Sequence, residues 1–557
     1  MKRFKSNILT AGVAISALCL GACSESFLDV SSKTESTTGN FYKTEGDAWR
    51  ALIGCYDGWR QISSNPGSAN IYLQATVMSD ECYGSTGNGD GRGFQMLDMF
   101  DPAQSPSDLQ YFSTNWKVYY AGVYRCNEML TKTYVWENPA NEGLYMGEAH
   151  TLRALLYFDM VRMWGHIPLF TEASQDNRGQ ADPAEVYALI VDDLKYAIAN
   201  IPANANLGTD NFGRITKYAA EALLARVYLF YTGYYGKEPG FTNEAGETTG
   251  TCTKAEALAA VEDVIASGNY SLVANFKNLW PAASLDPIPG ELGWASTSTY
   301  AGDANSEVIL AQNFTPTQDY NGNNDSNRWL VMMGMRNLND TDKGYGKGWG
   351  ACNITPAFLD KYLRSDPRFT ASVIDLEAEG CVKIDGWQTS VNDWREYTGY
   401  TVKKYTPMVF GNGLPATNAT GTAGFQECNA QPWVIMRYAD VLLMAAELGS
   451  AQASNHLNAV RSRAGLPALA VTQQNIMDER ARELAFEGIR YWDLLRQGVE
   501  TLADAVAATG GNVTNGGVPG TVTYNRDKII KTKGLNQIPQ DQITLSNGVL
   551  KQNEGWY

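Results

Sequence analysis

The chain has 557 residues, enough for one large domain or several ordinary ones. With 44% hydrophobic and 19% charged residues it has a globular mixture able to bury a sizeable core. A formal net charge of −16 repels nucleic-acid phosphates and anionic membrane surfaces, whereas a neutral ligand meets no such penalty. The 30 tyrosines and 14 tryptophans offer flat apolar faces with a polar handle, the chemistry that suits stacking on sugars or peptides.

Lys2, Arg3 and Lys5 precede an apolar run from Ile8 to Leu20. That run is too short to span a bilayer and has the length of a signal-peptide core. It ends in Leu20-Gly21-Ala22-Cys23, and small residues before a cysteine here resemble the bacterial lipobox. The resemblance implies a leader at 1–22, cleavage before Cys23 and acylation of its thiol and amine; several acyl chains anchor a protein stably. Loss of the three basic residues would take the formal charge from −16 to −19. Residues 23–40 then read as a lipidated tether, rich in Ser and Thr without apolar period. No later stretch approaches about 18 unbroken apolar residues, so nothing else is expected to span.

Residues 41–235 are mainly helical in pattern. After Gly147, the residues Ala149, Leu152, Leu156, Met160 and Met163 recur at three- and four-residue steps and predict a helix ending near Gly165, before Pro168. Asp182-Pro183 opens a second helix, and Gly213 to Tyr231 is a third. From 236 to 430 Gly, Asn, Asp, Ser and Thr dominate, and large aromatics interrupt them. This predicts long loops and short strands in an irregular insert. Helical texture returns from Trp433 to about Gly498. Met477, Ala481, Leu484, Gly488, Tyr491 and Leu495 predict one helical face over 476–496. The last fifty residues read as extended and turn-rich. Residues 41–557 are therefore expected to form one domain, with helical scaffold at 41–235 and 431–500.

Catalytic signatures are missing. No Walker A loop, GxSxG elbow or HExxH occurs, and the three histidines His150, His166 and His456 are scattered. No metal site and no cofactor is expected. Asp319, Asn321 and Asn323 begin like a calcium loop, but Asn324 and Leu330 stand where Gly and Glu belong. Nine cysteines without any CxxC make no metal or dense disulfide framework, although a bridge such as Cys352 to Cys381 stays open. Glu483 and Glu487 lie a helical turn apart, as a glycosidase pair could. Yet spacings of three link Glu479 to Arg482, Glu487 to Arg490 and Asp493 to Arg496, which reads as helix-stabilising ion pairing. Neighbouring arginines hold an acid ionised, the wrong direction for a general acid.

Seven blocks in order resemble the SusD-like (SusD/RagB) nutrient-binding lipoproteins of Bacteroidetes. They include Gly147-Glu148-Ala149-His150-Thr151-Leu152-Arg153-Ala154 with Trp164-Gly165-His166-Ile167-Pro168-Leu169, and Gly213-Arg214-Ile215-Thr216-Lys217 with Leu224-Ala225-Arg226-Val227-Tyr228-Leu229. Further blocks are Arg437-Tyr438-Ala439-Asp440-Val441-Leu442-Leu443-Met444, where Asp440 replaces the usual Glu, and Arg463-Ala464-Gly465-Leu466. Glu479-Arg480 through Arg496 and Gln552-Asn553-Glu554-Gly555-Trp556 continue the series, with Glu554 in place of Pro. The resemblance is weakest over 236–430.

It implies a mainly α fold of tetratricopeptide-like helix pairs with an irregular, ligand-bearing face and few short strands. It implies no catalysis, capture of a nutrient glycan at the outer membrane, and delivery to a SusC-like TonB-dependent transporter. Capture of a peptide or other nutrient by the same arrangement is the alternative. The partners expected are that transporter, the glycan, and the membrane through the lipid anchor at Cys23, with no nucleic acid. Subtracting the matched blocks as scaffold leaves two aromatic loop regions as ligand candidates. One holds Asp80, Tyr83 and Arg92; the other holds Trp294, Tyr300, Tyr320, Trp329 and Trp349. The two are expected to meet on one exposed face.

Overall fold

The computed structural model describes residues 41–64, 71–105, 110–284, 299–315, 326–336, 344–382, 391–408, 426 and 429–556. The leader, Cys23 and the tether lie outside the described residues, as do Trp294, Tyr320, the 319–324 stretch and Cys428. Helix dominates. The longer helices in chain order are α1 (Glu45–Ser64), α2 (Gln110–Leu130), α3 (Ala140–Trp164), α4 (Pro183–Asn200), α5 (Lys217–Tyr235) and α6 (Lys254–Ala266). They continue as α7 (Tyr438–Glu447), α8 (Ala453–Arg463), α9 (Gln473–Glu483) and α10 (Val499–Ala507). Consecutive helices pack as neighbours from α1 to α6, and α6 continues onto α7.

Local chemistry sets the ends. Gly165 closes α3 at φ +69°. Asp182 caps α4, accepting from the Ala184 N–H at 2.8 Å with Pro183 in the first turn. Thr253 and Glu256 close a capping box on α6. α3 is buried on every side from Thr151 to Trp164, so it is the central helix of the scaffold. α1 crosses α2 so closely that a Cβ on Gly58 would fall 2.8 Å from the Gly122 Cα. One buried cluster of apolar side chains extends from Ala48 to Trp556.

Strands are short and join distant segments. Cys82–Tyr83, Asn353–Ile354, Tyr400–Val402 and Val373–Asp375 form a four-stranded sheet in that order. Trp433–Arg437 is not helical as its surroundings suggested. It pairs antiparallel with Val308–Gln312, which places Arg437 beside Glu307. The single helix expected over 476–496 is also broken: α9 stops at Glu483, and a short helix resumes at Arg490–Leu495. Phe486 and Gly488 between them have φ of +63° and +71°. Two contacts explain the break. The Phe486 N–H donates to Glu81 Oε1 at 2.8 Å, and Gly488 lies against Tyr72, where a Cβ would come within 2.9 Å of the ring.

The break also redirects the charges. Only Asp493 and Arg496 pair at the spacing of three, at 2.9 Å. Glu487 instead accepts from Arg437 and Lys404, each at 2.8 Å, and Glu479 from Arg368 and Arg461, each at 2.7 Å. Glu483 joins Arg437, Arg368 and Arg463. Arg437 also reaches Glu307 at 2.6 Å. All these groups are buried. The arginines around Glu483 hold its carboxyl far below the usual carboxylate range despite burial. Among the described residues Cys55, Cys82, Cys126, Cys252, Cys352 and Cys381 are buried and in no disulfide, so the Cys352–Cys381 bridge is not formed.

Arg437→Ala leaves three buried carboxylates short of a cation. Losing one partner of a buried pair costs about 3–5 kcal/mol, so the unfolding free energy of the variant should fall by that amount, read as a lower urea midpoint at unchanged slope. A midpoint within error of wild type would show that the network contributes no net pairing.

Candidate functional site

The first candidate loop meets segments from two other parts of the chain, one of them Arg336 within the second candidate region. Thr86–Gly87 pairs antiparallel with Trp394–Arg395, with Trp394 opposite Gly87 and Arg395 opposite Thr86. Gly87 leaves room for side chains to cross it: a Cβ there would sit 2.2 Å from Arg336 Nη2 and 2.6 Å from Asp90 Oδ2, and both would have to move. Arg336 bridges the regions: its Nη1 lies 2.9 Å from Asp90 Oδ2 and its Nε 3.0 Å from Asp393 Oδ2. Buried Arg395 donates to the Asn88 carbonyl at 2.7 Å and fixes the loop from below. Met335–Arg336 runs parallel to Lys347–Gly348, so Trp349 follows directly after the residue that pairs with Arg336. The turn of the hairpin formed by Gly511–Asn515 and Val518–Val522 closes the far side. There a Cβ on Gly516 would meet Asn88 Nδ2 at 2.3 Å.

The resulting surface carries Asn88, Asp90 and Arg92, which are exposed, with half-buried Arg336, Asp393 and Trp349. The Arg328 guanidinium lies 4.9 Å from the Trp349 ring centre. A half-exposed indole can take a C–H-rich face, and the Asp90, Arg336 and Asp393 cluster can bond hydroxyls. Below it the frame is rigid and polar. Asp98 Oδ2 accepts from the Gly84 N–H and Glu396 Oε2 from the Ser85 N–H, both at 2.8 Å. Burial pushes both carboxyls up, and the Glu396 charge pushes Asp98 further.

Three of the sequence candidates cannot offer surface to a soluble ligand. Asp80 is buried in a two-pronged ion pair with Arg490, 2.8 Å on each oxygen. Tyr83 is buried, donates to the Thr509 carbonyl at 2.5 Å, and packs on Val513 and Val522. Trp329 is buried in a stack, 4.3 Å from Trp433 with the rings 4° from parallel. Tyr300 is half-buried and donates to Asp303 at 2.5 Å. Arg92 is exposed two residues after Asp90, and Trp349 is half-buried next to Gly348, the partner of Arg336. Asn88, Asp90, Arg336 and Asp393 were not singled out from sequence.

Among the described residues no His, Cys, Asp and Glu cluster could hold a metal, and no helix is long and apolar enough to cross a membrane. The SusD family model matches residues 306–556, and a model described as starch-binding associating with outer membrane matches 73–229. The chain is 25% identical to SusD-like protein P38 of Formosa agariphila over 89% of its own length and 92% of the relative's. It is 25% identical to the starch-binding protein SusD of Bacteroides thetaiotaomicron, over 73% and 72% of the two lengths. The solved structure of a laminarin-binding SusD-like protein superposes with a TM-score of 0.69 at 28% identity, over 92% of this chain and 99% of that one.

At the foot of the loop, burial pushes the Glu81 carboxyl from 4.5 up to about 8. The native state therefore keeps a proton that the unfolded chain releases, and the stability that Glu81 contributes is lost as pH rises between those two values. Glu81→Gln keeps the acceptor for the Phe486 N–H and removes the titration. The variant should gain melting temperature over wild type at pH 9 relative to pH 5; an equal difference at both would contradict a buried, proton-holding Glu81.

Proposed function

The chain belongs to the SusD-like family, and on that footing we propose that it captures a neutral glycan at the cell surface without cleaving it and passes it to a SusC-like TonB-dependent outer-membrane transporter. The observation that carries this reading is the polar cluster in which Arg336 joins Asp90 and Asp393 beside exposed Asn88 and Arg92, with half-buried Trp349 one residue beyond the Gly348 that pairs with Arg336. Binding of laminarin by a relative of similar length supports the choice of a glycan. The net charge of −16 favours a neutral ligand over an anionic one. Non-catalytic capture is supported by the acids of the 479–493 segment. They are buried among arginines and committed to ion pairs with them.

A carrier has to release its cargo. One stacked ring and a few hydroxyl bonds give affinities in the micromolar to millimolar range once ordering costs are met. The lipid anchor at Cys23 would hold the protein beside its transporter, where weak binding suffices.

In native gels containing laminarin or starch, the protein should be retarded by at least one of them. Trp349→Ala should weaken that binding about tenfold, roughly 1.4 kcal/mol, with the melting temperature nearly unchanged. A wild-type protein that ignores a panel of neutral polysaccharides and binds peptides instead would sink the reading. The anchor is tested separately. Cys23→Ala expressed in the native host should leave the membrane fraction, and persistence there after a carbonate wash would refute acylation at that residue.

A further inference from the structure

We propose that Asp98 and Glu396 act as a positioning pair beneath the candidate loop surface: while they keep one proton between them they fix the 84–92 loop in its ligand-facing shape, and they release it once both are charged. The consequence for capture rests on the glycan reading above. The two acids are buried on consecutive amides of the loop, Asp98 Oδ2 accepting from the Gly84 N–H and Glu396 Oε2 from the Ser85 N–H, both at 2.8 Å. Further segments meet at this point. Gln95, one turn before Asp98 on the short helix Gly93–Asp98, donates to the Ser85 carbonyl at 2.6 Å and to Glu396 Oε2 at 3.3 Å. The Glu396 N–H donates to Asn515 Oδ1 in the hairpin at 2.8 Å. The backbone departs from regular strand to reach these partners. Ser85, Thr86 and Glu396 stand at φ of +33°, +122° and +52°, which residues other than glycine hold only where their surroundings over-determine them.

What sets the pair apart is its missing cation. Buried Asp80, just ahead of the loop, has Arg490 on both oxygens, and Glu483 has three arginines. The two arginines nearest in charge to Glu396 point elsewhere: Arg395 donates to the Asn88 carbonyl at 2.7 Å and to Gln95 Oε1 at 3.4 Å, and Arg92 is exposed. Asp98 Oδ1 is buried with no hydrogen-bond partner among the described residues. A bare charged oxygen in that position is costly, and a proton on the carboxyl removes the charge. The remaining titratable groups that face the pair are the phenols of Tyr83 and Tyr524, which burial and the two acids push up, so they stay protonated. Burial raises both carboxyls, outweighing the pull of Arg395 and Arg92 on Glu396, and the Glu396 charge raises Asp98 further. The native state therefore holds a proton that the unfolded chain releases. Its contribution is present at acid pH and is lost as pH rises through the folded values of the pair. Two charged carboxylates on neighbouring amides then repel, and relief of the strain at residues 85, 86 and 396 favours release.

The test follows hydrogen exchange of peptides covering residues 84–92 in the full chain from pH 6 to pH 9, expressed as protection relative to the intrinsic rate at each pH. Wild type, Asp98→Asn and Glu396→Gln are compared, with binding to laminarin and starch in native gels at the same pH values. Wild-type protection should be level at the acid end and then fall by up to about tenfold per pH unit, the slope for one proton, with binding weakening alongside. Asp98→Asn keeps an acceptor for the Gly84 N–H and removes the titration, so its protection should stay level to pH 9. Glu396→Gln does the same for the Ser85 N–H and decides the matter if Asp98→Asn does not fold. Glu81 keeps its own titration in both variants, so a loss of protection parallel to wild type in both would assign the effect to Glu81 and overturn the pair. Level wild-type protection across the range would overturn it as well. If protection behaves as expected while no neutral glycan binds at any pH, the pair stands and the glycan reading falls.

Discussion

The arginine at 437 is the point on which the molecule's geometry turns. Its guanidinium lies buried within 2.8 Å of carboxylates from three places in the chain: Glu307 ahead of one strand, Glu483 at the end of α9, and Glu487 beyond the break. Each of those acids then fixes further cations. Glu483 takes Arg368 and Arg463, Glu487 takes Lys404, and Glu479 one turn earlier takes Arg368 and Arg461. Paired buried charges roughly offset their own desolvation, so what the network contributes is placement. A carboxylate without water can satisfy itself only where the guanidiniums are. The irregular segments 366–368 and 403–404 are thereby held to the helical scaffold at defined positions, although little regular structure joins them.

That frame explains why the ligand-facing loops need so little secondary structure. Strands of two residues, such as Thr86–Gly87 against Trp394–Arg395, are too short to hold a surface alone. Here they are pinned from beneath by Arg395 on the Asn88 carbonyl, by Glu396 on the Ser85 N–H, and by Arg490 on Asp80. Positive φ values at Ser85, Thr86 and Glu396 show how far the backbone departs from regular strand to meet those partners. The polar residues above can then be positioned without being buried.

Much of the scaffold was legible because its signals are local. The apolar steps after Gly147 and the stop at Gly165 sit within one helix, and Asp182-Pro183 is a cap that works on its neighbours. The 476–496 period was equally clear but misleading. Nothing local announces that Phe486 will donate to Glu81, or that Glu483 and Glu487 will be drawn to an arginine in a strand. The same limit governs the loops. Asp80, Tyr83 and Trp329 stand among Gly, Asn and Ser and read as exposed, yet their partners Arg490, Thr509 and Trp433 are far along the chain. Residue type told that these loops hold unusual groups. Tertiary pairing alone decides which of them face water, and Asp90, Arg336 and Asp393 emerge only when three separate segments are brought together.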